Sequence, residues 1–268
     1  CKFCQNWDIS KARADDALQS EASPAAIARS AVKVGARSVA FTYNDPTIFL
    51  EYAIDTAVEC KKLGVHPVAV TNGYIQGDAR VDLYANMDAA NIDLKAFTED
   101  FYRDVCLAHI EPVKETLKHV VKSTSCWVEI TTLLIPGYND GDAEIEALAT
   151  WVAKELSPDV PLHFSAFHPD YKLLDAPATP PATLTRARAI ARRAGLRYVY
   201  TGNVHDPAGA STYCPSCDAL LIERDWYTLG AWNLREGCCE KCGAHIAGRF
   251  DADPGQWGAR RQPLRITA

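Results

Sequence analysis

Short, apolar, β-rich runs alternate with segments of helical periodicity between residues 24 and 203. The runs at 38–43, 66–71, 91–96, 127–135, 161–167 and 197–201 predict six strands. Most are apolar on both faces, as expected of parallel strands covered by helices. Ser23 followed by Pro24 reads as an N-cap with proline at the first helical position, and Gly35 closes that helix. Asp45-Pro46 opens a second helix, which Gly64 ends, with Phe49, Ala53, Ala57 and Cys60 as its apolar stripe. Residues 142–156 place Ile145, Leu148, Ala149, Val152 and Leu156 at helical spacing, and the Ala/Arg-rich stretch 183–194 stops at Gly195. Repeated βα units predict an α/β fold with a parallel sheet or partial (β/α) barrel, its ligands at the carboxyl ends of the strands. A seventh strand would have to precede Cys1.

After Gly202 the character changes: cysteines cluster and strand candidates such as 219–223 are short. The expected organisation is a barrel core over 1–209, a four-cysteine module over 210–250 and an extended tail over 251–268. A chain of 268 residues suits that division. With 28 basic and 34 acidic residues the net charge is −6, which weighs against a broad grip on nucleic acid. Only Arg260-Arg261 and the arginines between 186 and 193 point the other way. The 48% hydrophobic and 23% charged content excludes disorder and fibrous repeats. No apolar run reaches the ~18 residues of a membrane span.

Six of the ten cysteines form CxxC pairs: Cys1/Cys4, Cys214/Cys217 and Cys239/Cys242. In a chain long enough to build a core, such pairs point to metal in a reducing cytoplasm rather than to a disulfide framework. The two C-terminal pairs supply four thiolates, a closed tetrahedron suited to structural zinc, with Gly243 fit for the turn of a knuckle. A second iron–sulfur cluster or a single iron would also suit four sulfurs. Cys238 is a competing ligand at the wrong spacing, and His245 reads as a bystander. Cys60, Cys106 and Cys126 read as small buried thiols.

The chain opens Cys1-Lys2-Phe3-Cys4-Gln5-Asn6-Trp7 inside a motif that looks cut, so the expected beginning lies upstream. CxxC alone suits iron–sulfur, zinc or a redox pair. No Cys/His signature makes Cys1 a nucleophile. Trp7 suits either a shield over a cluster or a place in the core. Polar groups end successive strands: Tyr43-Asn44-Asp45, Thr71-Asn72-Gly73, Asp93 and Lys95, His168, and Asn203. Each also has a plain reading. Asp45 suits an N-cap, Thr71-Asn72-Gly73 an ordinary turn, Asp93 and Lys95 a mutual ion pair, and His168 a solvated surface residue.

Taken together, the opening Cys-Lys-Phe-Cys-Gln-Asn-Trp-Asp-Ile-Ser and these strand ends resemble radical S-adenosylmethionine (SAM) enzymes. Within them the chain resembles the group related to pyruvate formate-lyase-activating enzyme, specifically the radical SAM enzymes of the AmmeMemoRadiSam system. The resemblance implies a partial barrel of radical SAM type lacking its first strand. It implies a [4Fe–4S] cluster held by Cys1, Cys4 and a cysteine four residues before Cys1. Tyr43, Asn44 and Asp45 stand where the family's GGEP-like motif faces the methionine ammonium. Thr71, Asn72 and Gly73 would lie beside the adenosyl group, Asp93 and Lys95 in the SAM pocket, and His168 and Asn203 at further strand-end contacts. The implied chemistry is reductive cleavage of SAM to a 5′-deoxyadenosyl radical that abstracts hydrogen from a protein glycyl residue or a small molecule. Electrons would come from a ferredoxin or flavodoxin. The rival reading is a non-catalytic zinc-ribbon adaptor or ligand-binding protein.

Overall fold

Six parallel strands pair in strict chain order, β1 (Ser38–Phe41), β2 (His66–Thr71), β3 (Ala89–Asp93), β4 (Trp127–Leu134), β5 (Leu162–Ala166) and β6 (Val199–Gly202). The computed structural model describes residues 1–10, 21–255, 264 and 266. A short helix, α1 (Trp7–Ser10), and α2 (Pro24–Lys33) precede the sheet. Ser23 caps α2 by accepting from the Ala26 N–H, and Gly35 leaves it at φ +70°. Between strands run α3 (Leu50–Lys62), α4 (Gly77–Asn86), the one-turn α5 (Glu99–Phe101), α6 (Glu111–Ser123), α7 (Asp142–Trp151) and α8 (Pro181–Arg193). Helices α4 and α6 are additions to the sequence reading.

Three predicted elements shift. The helix opened by Asp45-Pro46 begins as a 3-10 turn, Pro46–Phe49, and becomes α3 only at Leu50. The stretch read as 142–156 is α7 continued by a π turn, Val152–Leu156. β3 ends at Asp93, so Lys95 lies beyond the strand in the loop that follows.

The two faces of the sheet differ. Ala69, Ile92, Ile130, Leu162 and Phe164 point into the helical layer and are fully buried, each large side chain contributing ~1.5–3 kcal/mol. The opposite face carries Asn91, Asp93, Glu129, Thr131, His163, Ser165 and Tyr200, all half-buried. The expectation of strands apolar on both sides therefore fails on the inner face. β1 and β6 are edges that do not pair with each other, so the barrel stays open and its interior is a lined space instead of a packed core.

Beyond β6 come α9 (Pro207–Ala210), a three-stranded antiparallel sheet of β7 (Thr212–Tyr213), β8 (Leu220–Asp225) and β9 (Thr228–Trp232), and the pair β10 (Leu234–Arg235) and β11 (Cys238–Cys239). Their core joins Leu221, Ile222, Leu234 and Ile246 to Tyr198 at the entry to β6. The Tyr198 hydroxyl accepts from the Ala247 N–H, and Arg249 donates to the Ser125 carbonyl. Most of the expected tail lies outside the described residues, Arg260 and Arg261 included.

Candidate functional site

The opening loop is tied to the carboxyl rim of the sheet. Lys2 donates its N–H to the Val105 carbonyl, and its own carbonyl accepts from Lys172. Phe3, between the two cysteines, is 3% exposed. Its ring centroid lies 6.0 Å from that of Phe101 and 5.9 Å from Lys95 Nζ, a cation–π contact. Trp7 stacks on Tyr171 at 5.8 Å and donates Nε1–H to Asp170. Trp7 therefore ties the loop to the segment after β5, neither deep in the core nor free. The Cys1 thiol is exposed and the Cys4 thiol half-buried, both unpaired.

At the end of β1, Tyr43 adopts φ +69° and turns the chain into Asp45. The Asp45 carboxylate accepts from the Thr47 N–H, the Thr71 hydroxyl and the Asn72 N–H at 2.8–3.1 Å. It is an N-cap and also the strut that locks the ends of β1 and β2 together. Asn72 accepts from the Tyr74 N–H, which shapes the same turn. Gly73 stands at φ +68°, and a Cβ there would lie 2.7 Å from Ile92 Cγ2, so only glycine fits.

Asp93 Oδ2 and Lys95 Nζ pair at 2.5 Å. The backbone of Lys95 is fixed on both sides. Its N–H donates to the Tyr102 hydroxyl, whose phenol burial pushes far above its usual range, and its carbonyl accepts from Asn139. Asn139 is buried, and its side chain also accepts from the Ile135 N–H and donates to the Leu133 carbonyl. Asn139 and Tyr102 are positioning residues absent from the sequence reading; the polar Asn139 two residues after Gly137 was the available signal. Asn203 adopts φ +60° and donates to the Ala166 carbonyl, joining β6 to β5. His168 is exposed on the loop after β5. The structure thus brings the cysteine loop against Lys95 and Asp93, and Asp45 against Thr71 and Asn72. Asn203 and His168 stand at the β5–β6 end of the same rim.

The donor set suits an iron–sulfur cluster with SAM. The loop presents two unpaired thiols, and the Gln5 Nε2 amide beside them is buried without a partner. Burial lifts the thiols of Cys60, Cys106 (to about 11) and Cys126 (to about 12), which keeps them protonated.

Cys214, Cys217, Cys239 and Cys242 put their sulfurs within 4.8 Å of one another, with 3.6 Å and 3.8 Å for the closest cross-pairs. A tetrahedral ion with ~2.3 Å bonds to sulfur needs sulfur–sulfur edges of ~3.8 Å. A four-iron cluster gives each thiolate its own iron and spreads them wider, so the geometry fits a single ion. The two knuckles are built alike. In each, the residue after the second cysteine, Asp218 or Gly243, takes positive φ and donates its N–H to the first cysteine's carbonyl. Burial raises the Cys239 thiol, but N–H groups of Cys242 and Lys241 and the neighbouring thiols bring it down to about 7. Cys238 pairs with Arg235 across β10–β11 and stands outside the sulfur group.

A parallel βα sheet with a cysteine loop and charged strand ends gathered at its carboxyl rim places the molecule among the α/β proteins that bind their ligands at that rim. Comparison with known proteins gives the class its family. The family model described as the Radical SAM superfamily matches residues 1–149, and the chain belongs to that superfamily. Its cofactors are SAM and an iron–sulfur cluster, and the chain is an enzyme of this kind rather than an adaptor. The uncharacterized protein MJ0808 of Methanocaldococcus jannaschii is 43% identical over 248 residues, 92% of this chain and 73% of that one. Among solved structures, a domain of pyruvate-formate lyase-activating enzyme from Bacteroides vulgatus shares the fold, with a TM-score of 0.54 and 19% identity, over 62% of this chain and 98% of that one. SuiB of Streptococcus suis bound to S-adenosylmethionine gives 0.57 and 13% over 71% and 46%. Among the described residues no helix is long and apolar enough to cross a membrane.

Proposed function

We propose that this chain is the radical SAM enzyme of an AmmeMemoRadiSam system, with Cys1, Cys4 and the third cysteine of the family loop binding a [4Fe–4S] cluster that leaves one iron open. The observation that carries this reading is the burial of Phe3, between the two thiols, against Lys95 Nζ. It puts the cluster loop and the Asp93–Lys95 pair in one corner of the rim. With the cluster and SAM bound there, one-electron reduction would supply methionine and a 5′-deoxyadenosyl radical able to take one hydrogen atom from the substrate.

The protein's own part is binding and enclosure. Lys95 offers its ammonium to the methionine carboxylate, and Asp93 holds Lys95 in place. The carbonyls of Tyr43 and Asn44 face the methionine ammonium, while Asp45 fixes the turn. Thr71, Asn72 and Gly73 let the backbone approach the adenosyl group closely, and His168 and Asn203 complete the contacts. Trp7 covers the loop against water.

Zinc closes the four-thiolate site of Cys214, Cys217, Cys239 and Cys242 as a structural ion. A cytoplasmic ferredoxin or flavodoxin supplies the electron. A glycyl residue of a partner protein or a small molecule is the target.

The test uses the polypeptide carrying the complete cysteine loop, reconstituted without oxygen and reduced with SAM present. 5′-Deoxyadenosine forms if the reading holds. A full cluster that yields none overturns it.

A further inference from the structure

The inner face of the sheet carries a polar group that the SAM contacts do not use. In register across the sheet, Asp93 pairs with Thr131, Thr131 with His163, and His163 with Tyr200. At ~4.8 Å per strand, His163 stands ~10 Å from Asp93 on the same wall. Glu129, one step below Thr131 on that face, meets His163 Nε2 at 2.6 Å and accepts from Trp127 Nε1 at 3.2 Å. The His163 ring stacks on Tyr200 at 4.9 Å.

In front of this wall lies a cavity of about 480 Å³, bounded by Trp127, Glu129 and Tyr200 from the sheet and by Arg224, Trp232 and Phe250 from the C-terminal region. That volume suits a small molecule rather than a polypeptide loop. The chain from Ala247 to Gly255 closes it at the amino ends of the strands, where Asp251 pairs with Arg37. Two donors in its lining await an acceptor. The Trp232 Nε1–H is buried with no partner. The Arg224 guanidinium stacks at 6.0 Å over Tyr200 and donates to the Thr212 hydroxyl, yet among the described residues no carboxylate lies within ion-pair distance of it. A buried donor without a partner costs ~1–3 kcal/mol, which a ligand's acceptor would recover.

We propose that this cavity is the substrate pocket and that the substrate is a small planar molecule bearing a carboxylate. The carboxylate lies between Arg224 and the Trp232 N–H, and the flat body lies against the rings of Trp127, Tyr200 and Phe250. A hydroxyl or ring N–H at its far end donates to Glu129, which His163 orients. The C-terminal module thereby completes the site that the barrel begins. The pocket's role as substrate site rests on the radical chemistry proposed above, which decides what happens to its occupant but not whether it binds.

Binding is therefore tested on the full, metal-loaded chain without SAM or reductant. Tryptophan fluorescence is followed during titration with benzoate, 4-hydroxybenzoate and indole-3-carboxylate, with the matching amides as neutral isosteres. At least one acid should bind about tenfold or more tightly than its amide. Arg224→Gln should abolish that preference, and Trp232→Phe should weaken the acid several-fold with the amide unaffected. Equal affinity for acid and amide, or no binding by any of the three acids, overturns the proposal. So does a preference that survives in both variants. Because 5′-deoxyadenosine formation without added acid tests the radical chemistry separately, failure of one is distinguishable from failure of the other.

Discussion

Asn139 is the residue whose loss should travel furthest from fold to site. Its buried side chain makes three hydrogen bonds, from the Ile135 N–H at 2.7 Å and to the carbonyls of Lys95 at 2.7 Å and Leu133 at 3.0 Å. At a net ~1 kcal/mol each, with a further cost for the buried groups left unpaired, Asn139→Ala should lose about 3–5 kcal/mol. That is a large share of the ~5–15 kcal/mol that holds a domain folded. For a chain of this size it corresponds to a fall in Tm of roughly 6–20 °C.

The carbonyl released at Lys95 also loosens the residue proposed to hold the SAM carboxylate, so SAM affinity should fall with stability. Asn139→Asp separates the donor from the acceptor role. Its carboxylate still accepts from Ile135 but faces two carbonyls, so it should be at least as unstable at pH 7 and regain stability at pH 5, where a protonated carboxyl donates again. Urea denaturation of the metal-loaded chain at both pH values measures this. A loss under about 1 kcal/mol for Asn139→Ala, or an Asn139→Asp protein more stable at pH 7 than at pH 5, would refute the network.

Gly73→Ala should cost about 2–4 kcal/mol, from the left-handed backbone and the 2.7 Å approach to Ile92, read as a lower denaturation midpoint. Metal analysis should find one zinc in the four-cysteine module, and Cys217→Ser should lose it together with the near-ultraviolet signature of that module. Partial burial raises the Glu129 carboxyl, but the bond from His163 outweighs this and leaves it below the usual range. The stability it lends is complete above the ordinary carboxylate pKa and is lost as pH falls through its lowered value. Glu129→Gln should accordingly flatten the acid limb of the stability curve, which thermal melts between pH 6 and 3 would show. A thiol reagent at pH 8 should label the exposed Cys1 quickly in the chain loaded with zinc but lacking its iron–sulfur cluster, and leave Cys60, Cys106 and Cys126 unmodified until the protein unfolds.

Several parts of this molecule were legible from spacing alone. The six strands fall where short apolar runs predict them, because each strand's helix-facing residues must be apolar. Ser23-Pro24 marks its helix start through capping chemistry that needs no tertiary context. The paired CxxC motifs announced a four-sulfur site, and the knuckle geometry follows from it. Helix α6 also had a readable stripe, with Val113, Thr116, Leu117 and Val120 buried at helical spacing. α4 buries only Leu83 and Tyr84 and has almost no apolar face to read.

What sequence hid was the polarity of the inner wall. Glu129, Thr131 and His163 alternate with apolar neighbours in short strands, and period alone does not tell a lined cavity from solvent. Nor does it show that Asp45 is spent on Thr71 and Asn72, or that Lys95 stands past its strand's end. The place of Asn139 after Gly137 marked it as polar, but its role was hidden because its partners are backbone groups from two separate strand ends.

In an active enzyme the cysteine loop and the Asp93–Lys95 corner must share one ligand. Electron paramagnetic resonance of the reduced cluster, recorded with and without SAM in the wild type and in Lys95→Ala, tests this directly. The wild-type signal should change shape on adding SAM, and the variant should need at least about tenfold more SAM for the same change. A signal indifferent to SAM, or a response that Lys95→Ala leaves untouched, would contradict it.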